Sequence, residues 1–298
     1  MYPERYDYVP LPKRPKLELP DGNRVAVWVA PNVEFYEYQP PERKFGSAWP
    51  RTGAPDILHY ANRDYGNRRA VWRCFDLMDK YGIRGTVSLN VAVFDHFPEI
   101  AQAMVDRNWD YMSHAIYNTR SLHGMEEDEE RALIANVIDT VRKYTGKTIS
   151  GSLILSSTPN TPDLLAEAGV KYCVDFFHDD QPFPLKVRSG RLISIPYSIE
   201  INDTGVINRQ EQTEENFCRM VKDQFDRLYA EGEHSARVMC IATHPFVSHI
   251  PSRQKYLDDA FHYIFSHDKV WNTTGEEIAD WYYANYYDQM APKPAATA

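Results

Sequence analysis

The chain has no apolar run approaching the roughly 20 residues that span a bilayer, which argues against an integral membrane protein. It is also short of basic charge. Thirty-three Lys and Arg against 42 Asp and Glu leave a net charge of −9, so there is no cationic field to hold a phosphate backbone or an anionic lipid surface. The four cysteines, Cys74, Cys173, Cys218 and Cys240, are widely spaced with no C-x-x-C pair, which disfavours a zinc knuckle, a redox pair or a disulfide framework. They read as buried thiols that pack as small hydrophobes. The first twenty residues carry no signal-peptide core. These absences leave a cytoplasmic enzyme with a small-molecule substrate as the expectation, with neither nucleic acid nor membrane as partner.

What is present suits one globular domain. At 298 residues, 43% hydrophobic, the chain is long enough for a single α/β barrel or two smaller domains. Residues 1–24 read as an irregular arm, because Pro10, Pro12, Pro15 and Pro20 forbid helix and interrupt strand pairing. Its aromatics suggest that it packs onto something, and a homo-oligomer is the expected assembly. Residues 36–67 form a Pro- and aromatic-rich insertion without clear periodicity, read as a lid or a subunit contact. Residues 25–286 read as one catalytic barrel domain and residues 287–298 as a disordered tail.

Within that domain the apolar run Val25 to Ala30 has the composition of a strand buried on both faces. Further strands are expected at 86–89, 111–114, 152–155, 172–176, 192–196, 238–242 and 270–271. Helices are expected at 69–81, 98–108, 126–144, 161–169, 214–230, 254–266 and 275–286, several with acids in the first turn or Gly beyond the last. Seven or so β-α steps predict an α/β fold, a distorted (β/α)7–8 barrel.

Glu34 lies just past the first strand, at the end where parallel α/β folds open their active-site crevice. His114 and His244 lie just past two other predicted strands. Alone, each of the three reads as readily as a loop cap or a structural histidine. Together on one rim they suit hydrolysis, since a carboxylate can take a proton from water and an imidazole can return one to a leaving nitrogen. Asp179-Asp180, before Pro182, either accepts hydrogen bonds from substrate N–H groups or caps a turn. His123, His178 and His249 also fall near loop ends and carry no assignment.

From Val25 to Tyr286 the chain resembles the polysaccharide-deacetylase (NodB-homology) superfamily, and within it the branch of metal-independent allantoinases and cyclic-imide hydrolases. The resemblance rests on Asn32-Val33-Glu34-Phe35, on Ser113-His114 through Asn118, and on Pro159-Asn160-Thr161-Pro162-Asp163 followed by Asp179-Asp180-Gln181-Pro182. It continues through His244-Pro245 and Trp271 through Trp281. Metal-dependent members carry two adjacent aspartates at the first motif and two histidines four apart at the second. Here the base position falls on Glu34, the ligand aspartate on Phe35 and the second histidine on Asn118, so His114 alone remains of three ligands.

The resemblance implies a hydrolase of a C–N bond in a small amide, cyclic imide or ureide, with no metal cofactor and with Glu34, His114 and His244 catalytic. Asn32, Phe35, Tyr117, Asn118 and Asp180 are the expected substrate contacts. Two alternatives stay open: a metal-dependent N-deacetylase of amino sugars, with zinc held by replacements such as His123 or Glu37, and a non-catalytic carbohydrate-binding relative.

Overall fold

The computed structural model describes residues 5–41, 53–154 and 156–291. Strand β1 (Val25–Val33) is its axis, with all nine residues buried. Period-two alternation gives its two faces separate cores. Val25, Val27, Val29 and Val33 pack outward into the layer shared with the helices, whereas Ala26, Trp28 and Ala30 face the barrel interior with Met112, Tyr172 and Tyr197. Continued by two residues at a time, the inward face carries Asn32 and then Glu34.

The other strands are β2 (Thr86–Leu89), β3 (Asp110–Ser113), β4 (Gly151–Ser152), β5 (Tyr172–Cys173), β6 (Phe183–Leu185), β7 (Leu192–Ser194), β8 (Arg237–Thr243) and β9 (Val270–Thr273). They form one sheet in the order β6-β7-β5-β4-β3-β2-β1-β8, parallel except for β6 against β7. One edge of β1 pairs with β8 from Val25↔Arg237 to Pro31↔Thr243. The opposite edge is shared, with β9 along its first half and β2 at Asn32↔Ser88 and Val33↔Leu89. Between β7 and β8 the ring is bridged by the single pair Asn202↔Ala242. The result is the expected distorted (β/α) barrel, curled rather than evenly closed.

Helices α1 (Ile57–Tyr65), α2 (Val71–Lys80), α3 (Ala92–His96), α4 (Pro98–Asp106), α5 (Glu127–Thr145), α6 (Thr161–Glu167), α7 (Glu214–Glu231), α8 (Pro245–Ser248), α9 (Gln254–Phe265) and α10 (Gly275–Asn285) surround it. None of the described helices is long and apolar enough to cross a membrane. At the lower end the interior is filled by Tyr172. A Cβ on either Gly151 or Gly275 would overlap its ring or hydroxyl, so both positions require glycine.

Three expectations need correction. The second half of the insertion is helix α1, capped by Asp56 accepting from the His59 N–H and running through a wide turn at Gly66–Ala70 into α2. Its apolar period was invisible because no residue of α1 is buried. Residues 42–52 of the insertion lie outside the described part. Order also continues past residue 286 as a turn over Tyr287–Met290, because Tyr287 buries its ring against the inner core, whereas 292–298 are not described. Strand β6, absent from the sequence reading, holds Pro184 and pairs only at the sheet edge, where proline is tolerated.

Candidate active site

Three strand ends deliver the candidate catalytic groups to one point. Glu34 follows β1, His114 follows β3 and His244 follows β8, and all three side chains are buried. Glu34 Oε1 lies 3.3 Å from His114 Nε2 and 3.5 Å from His244 Nε2, while Oε2 accepts a 2.7 Å hydrogen bond from the Tyr36 hydroxyl. Tyr36 accepts in turn from the Asn118 amide, which ties the loop after β3 to the loop after β1.

The two imidazoles are oriented differently. His114 Nδ1 is 2.8 Å from the Leu153 carbonyl, so that nitrogen carries a proton and donates it. Its Nε2 has no hydrogen-bond partner among the described residues, although Glu34 is close, and is left to engage a reacting group. His244 Nδ1 is 2.6 Å from Asp203 Oδ1, and Asp203 also accepts from the His244 N–H, the Thr204 N–H and the Ser248 hydroxyl. With four donors on one buried carboxylate, the His244 ring has little freedom.

Burial alone would raise the Glu34 carboxyl and lower the His244 ring. For Glu34, the His244 charge and the two imidazoles close to its carboxyl outweigh burial and hold it well below the usual carboxylate range. For His244, the charges of Asp203 and Glu34 outweigh it and push the imidazolium up to about 10. The pair therefore stands as carboxylate and imidazolium at neutral pH. His249, also buried, goes the other way: desolvation lowers it to about 4, and its ring packs beside Thr243 as a neutral group.

These shifts set a pH dependence of stability. A group whose pKa rises on folding binds more protons in the native state, so the stability it contributes is complete below its ordinary value of 6.5 and is lost as pH climbs through about 10. The melting temperature is expected to fall steadily over that interval, and His244→Asn should flatten the fall. A profile in which wild type and variant fall alike would remove His244 as its source.

Of the expected substrate contacts, Asn118 reaches the triad through Tyr36. Asn32 lies on the inward face one layer below Glu34, where its amide is taken up by the Ala30 and Thr243 carbonyls and the Tyr197 hydroxyl. Phe35 lines the small cavity that also includes Glu34. One residue out of phase with Glu34, it turns its ring outward and stacks on His96 at 4.2 Å, with Tyr117 edge-on at 5.8 Å. Tyr117 accordingly belongs to that aromatic wall, under the Arg120 guanidinium.

Asp180 is a clear miss. Its carbonyl accepts from Val238 N–H at the start of β8, whereas His244 follows the end of that strand, roughly 20 Å away at about 3.3 Å per residue. Its neighbour Asp179 pairs with Arg14 of the N-terminal arm and caps the turn at Gln181. The turn reading of this acidic pair is the correct one.

Three contributors escaped the sequence reading. Asp203 lies in a stretch with no strand or helix pattern, and only its Asn-Asp-x-Gly turn composition was visible. Asn90 follows β2 directly and is fully buried; its side chain accepts from Phe35 N–H and donates to the His114 carbonyl, fixing both catalytic loops to each other. Tyr36 was absorbed into the insertion. Ala115, with φ of 62°, is the bend that turns the chain away after His114.

Metal-dependent relatives raise the question of an ion here, and the donor set does not fit one. Zinc at a catalytic site takes three protein ligands plus water. The two ligand positions beside His114 are held by Phe35, packed outward, and Asn118, whose amide donates to Tyr36. Among the described residues no three His, Cys, Asp or Glu side chains gather to hold a metal.

No protein-family model matches the chain. A putative polysaccharide deacetylase of Schizosaccharomyces pombe is 24% identical to it across 72% of this chain and 73% of its own length. A probable polysaccharide deacetylase from Pseudomonas aeruginosa PAO1 superposes with a TM-score of 0.83 at 27% identity, over 92% of this chain and 96% of that one. Puue allantoinase superposes with a TM-score of 0.80 at 25% identity, over 91% and 94%. The fold is thus that of deacetylase- and allantoinase-like hydrolases. With the rim of Glu34, His114 and His244 on that barrel, the chain is similar to proteins of the polysaccharide-deacetylase (NodB-homology) superfamily and to Puue allantoinase.

Proposed function

We propose that this protein is an amidohydrolase that opens a C–N bond in a small amide, cyclic imide or ureide without a metal. The observation that carries the reading is the buried Glu34 carboxylate held between two imidazoles and a tyrosine hydroxyl, with the remaining ligand positions turned to other uses. In the attack step Glu34 takes a proton from water as the water oxygen bonds to the carbonyl carbon. The oxyanion that forms is met by His114, which donates from Nε2 in the form that carries a proton on both ring nitrogens, while Tyr36, its one proton given to Glu34, holds the base in place. As the C–N bond breaks, His244 gives its Nε2 proton to the leaving nitrogen. Glu34 Oε1, 3.5 Å from His244 Nε2, then passes to that ring the proton it took from water, which restores both residues.

The insertion supports a compact substrate. Asn67 donates to the Glu34 carbonyl at 2.8 Å, and Arg63 of α1 lies over the rings of Tyr36 and Phe246, the second of which packs against His244. Tyr60, Arg63 and Asn67 thus wall one side of a small cavity that includes Glu34. The cavity itself is only about 10 Å³, so what supports a compact substrate is that these residues cover one side of the base and leave no open groove there. The names of two relatives favour a second reading, N-deacetylation of an amino sugar.

One experiment separates the readings. After exhaustive treatment with a strong chelator, the protein is expected to keep its turnover of cyclic imides, lactams or ureides and to contain well under one equivalent of zinc, nickel or cobalt. Activity lost to the chelator and restored by zinc, or acetate release from N-acetylglucosamine oligomers outpacing every cyclic amide, would establish the deacetylase instead.

A further inference from the structure

The peptide that joins Leu153 to Ile154 lies just past β4, where the ladder pairs Ser113↔Ser152 and Ser152↔Cys173 have run out. The Leu153 N–H makes the last strand bond, to the Ser113 carbonyl at 2.9 Å. Both residues are buried, so the next peptide group needs partners inside the protein. Two side chains supply them. Its C=O accepts from His114 Nδ1 at 2.8 Å, and its N–H donates to Asp175 Oδ1 at 3.0 Å. Asp175 lies two residues past β5 and has no part in the chemistry proposed above.

The two contacts are mechanically one. A peptide group is planar, with its C=O and N–H pointing opposite ways, so turning the N–H away from Asp175 turns the C=O away from His114. The Ser157 hydroxyl closes the far side of the same turn, 2.7 Å from the Ile154 carbonyl and 3.1 Å from Asp175 Oδ1. Asp175 reaches the peptide from outside the barrel wall: Val174 packs in the inner core, Cys173 in the outer one, and Asp175 lines the same cavity beside α6 as Cys173. Glu34, on the other side of the imidazole, faces Nε2. The order is thus carboxylate base, ring, peptide, second carboxyl.

We propose that Asp175 is a positioning residue for His114: it holds the Leu153–Ile154 peptide in the one orientation whose carbonyl fixes the ring and keeps Nε2 aimed into the site. The proposal rests on the reading of His114 as the oxyanion donor. Without the Asp175 acceptor, a buried N–H is left unsatisfied, which is costly enough that the peptide turns to seek another partner. The carbonyl turns with it, and the imidazole loses the contact that orients it.

The test uses the full chain with nitrogen-15-labelled histidine, read by NMR with no substrate present. The Nδ1–H protons of His114 and His244, assigned by their loss in His114→Asn and His244→Asn, are each held by an oxygen and are expected downfield and in slow exchange with water. Asp175→Ala and Asp175→Leu both remove the acceptor, one opening space and the other filling it, so whichever folds carries the test. In them the His114 proton should move upfield and exchange about tenfold faster or more, while the His244 proton stays in place. Asp175→Asn keeps an oxygen for the Ile154 N–H and should restore the His114 signal. In turnover, loss of the acceptor should lower kcat by about tenfold with KM little changed, the scale of a small misplacement, and Asp175→Asn should recover most of it. A His114 proton unmoved in Asp175→Ala and Asp175→Leu, His114 and His244 protons loosened together, or Asp175→Asn as impaired as Asp175→Ala would each overturn the proposal. So would a wild-type Ile154 amide that exchanges as fast as an exposed loop. If no amide is turned over, the functional reading fails while the NMR signals still decide the role of Asp175.

Discussion

Glu34→Gln is expected to lower kcat by about a hundredfold or more and to leave the fold in place. The amide has the shape of the carboxylate and can still accept from the Tyr36 hydroxyl, so the packing around it persists. What it cannot do at neutral pH is take a proton from water. It also removes the negative charge that holds His244 protonated, although Asp203 continues to do so at 2.6 Å. The loss should therefore fall on kcat, with KM changed little, because the base acts in the transition state. Steady-state kinetics on the best cyclic substrate, beside circular dichroism and a thermal melt, provide the comparison. A variant that folds normally and retains near-normal kcat would take Glu34 out of the chemistry and leave the site without a base.

The second large effect is expected at Asp203. Asp203→Ala strips the partner from two main-chain N–H groups, the Ser248 hydroxyl and the His244 ring, all in a buried site. Breaking one side of a buried ion pair in this way costs about 3–5 kcal/mol, enough to lower the melting temperature by many degrees or to prevent folding. Asp203→Asn is the informative companion, since it keeps the volume and one acceptor oxygen. Its amide can present an N–H to His244 Nδ1, which leaves a neutral ring with its one proton on Nε2, and giving that proton up would leave an imidazolate, so the ring is a far poorer acid than the imidazolium. The expected fall in kcat is on the order of 10³- to 10⁴-fold, the scale seen where an aspartate fixes the tautomer of a catalytic histidine. If Asp203→Asn folds and works within tenfold of wild type, Asp203 is a structural anchor and His244 needs no partner.

The rim of strand ends was legible because buried parallel strands advertise themselves by continuous apolar runs, and residues that follow them must emerge at the same end. Glu34, His114 and His244 were found in that way. Their helpers were not, because each answers to a contact rather than a pattern. Asn90 is one buried amide among many polar residues until the loops on either side of it are seen to meet. Asp203 sits where the barrel is bridged by a single residue pair, so no strand period announced it. Asp180 was misplaced for a related reason: adjacency to a motif says nothing about side-chain direction, just as Phe35, out of phase with Glu34 by one residue, stacks its ring on His96. Helix α1 was missed because it buries nothing, and without burial a helix leaves no apolar stripe to read.

The glycines at positions 151 and 275 make room for the Tyr172 ring across the lower end of the barrel, and that ring is fully buried. Among the described residues, that end of the barrel is closed by the ring. Whatever enters over the rim at Glu34 must depart over the same rim, past Tyr36 and the first helix, before another molecule can follow. For the ring substrate proposed above, the opened chain is longer than the ring, so the product has more length to clear on its way out. Traffic over that rim, and not bond cleavage alone, then bears on how fast the enzyme can work.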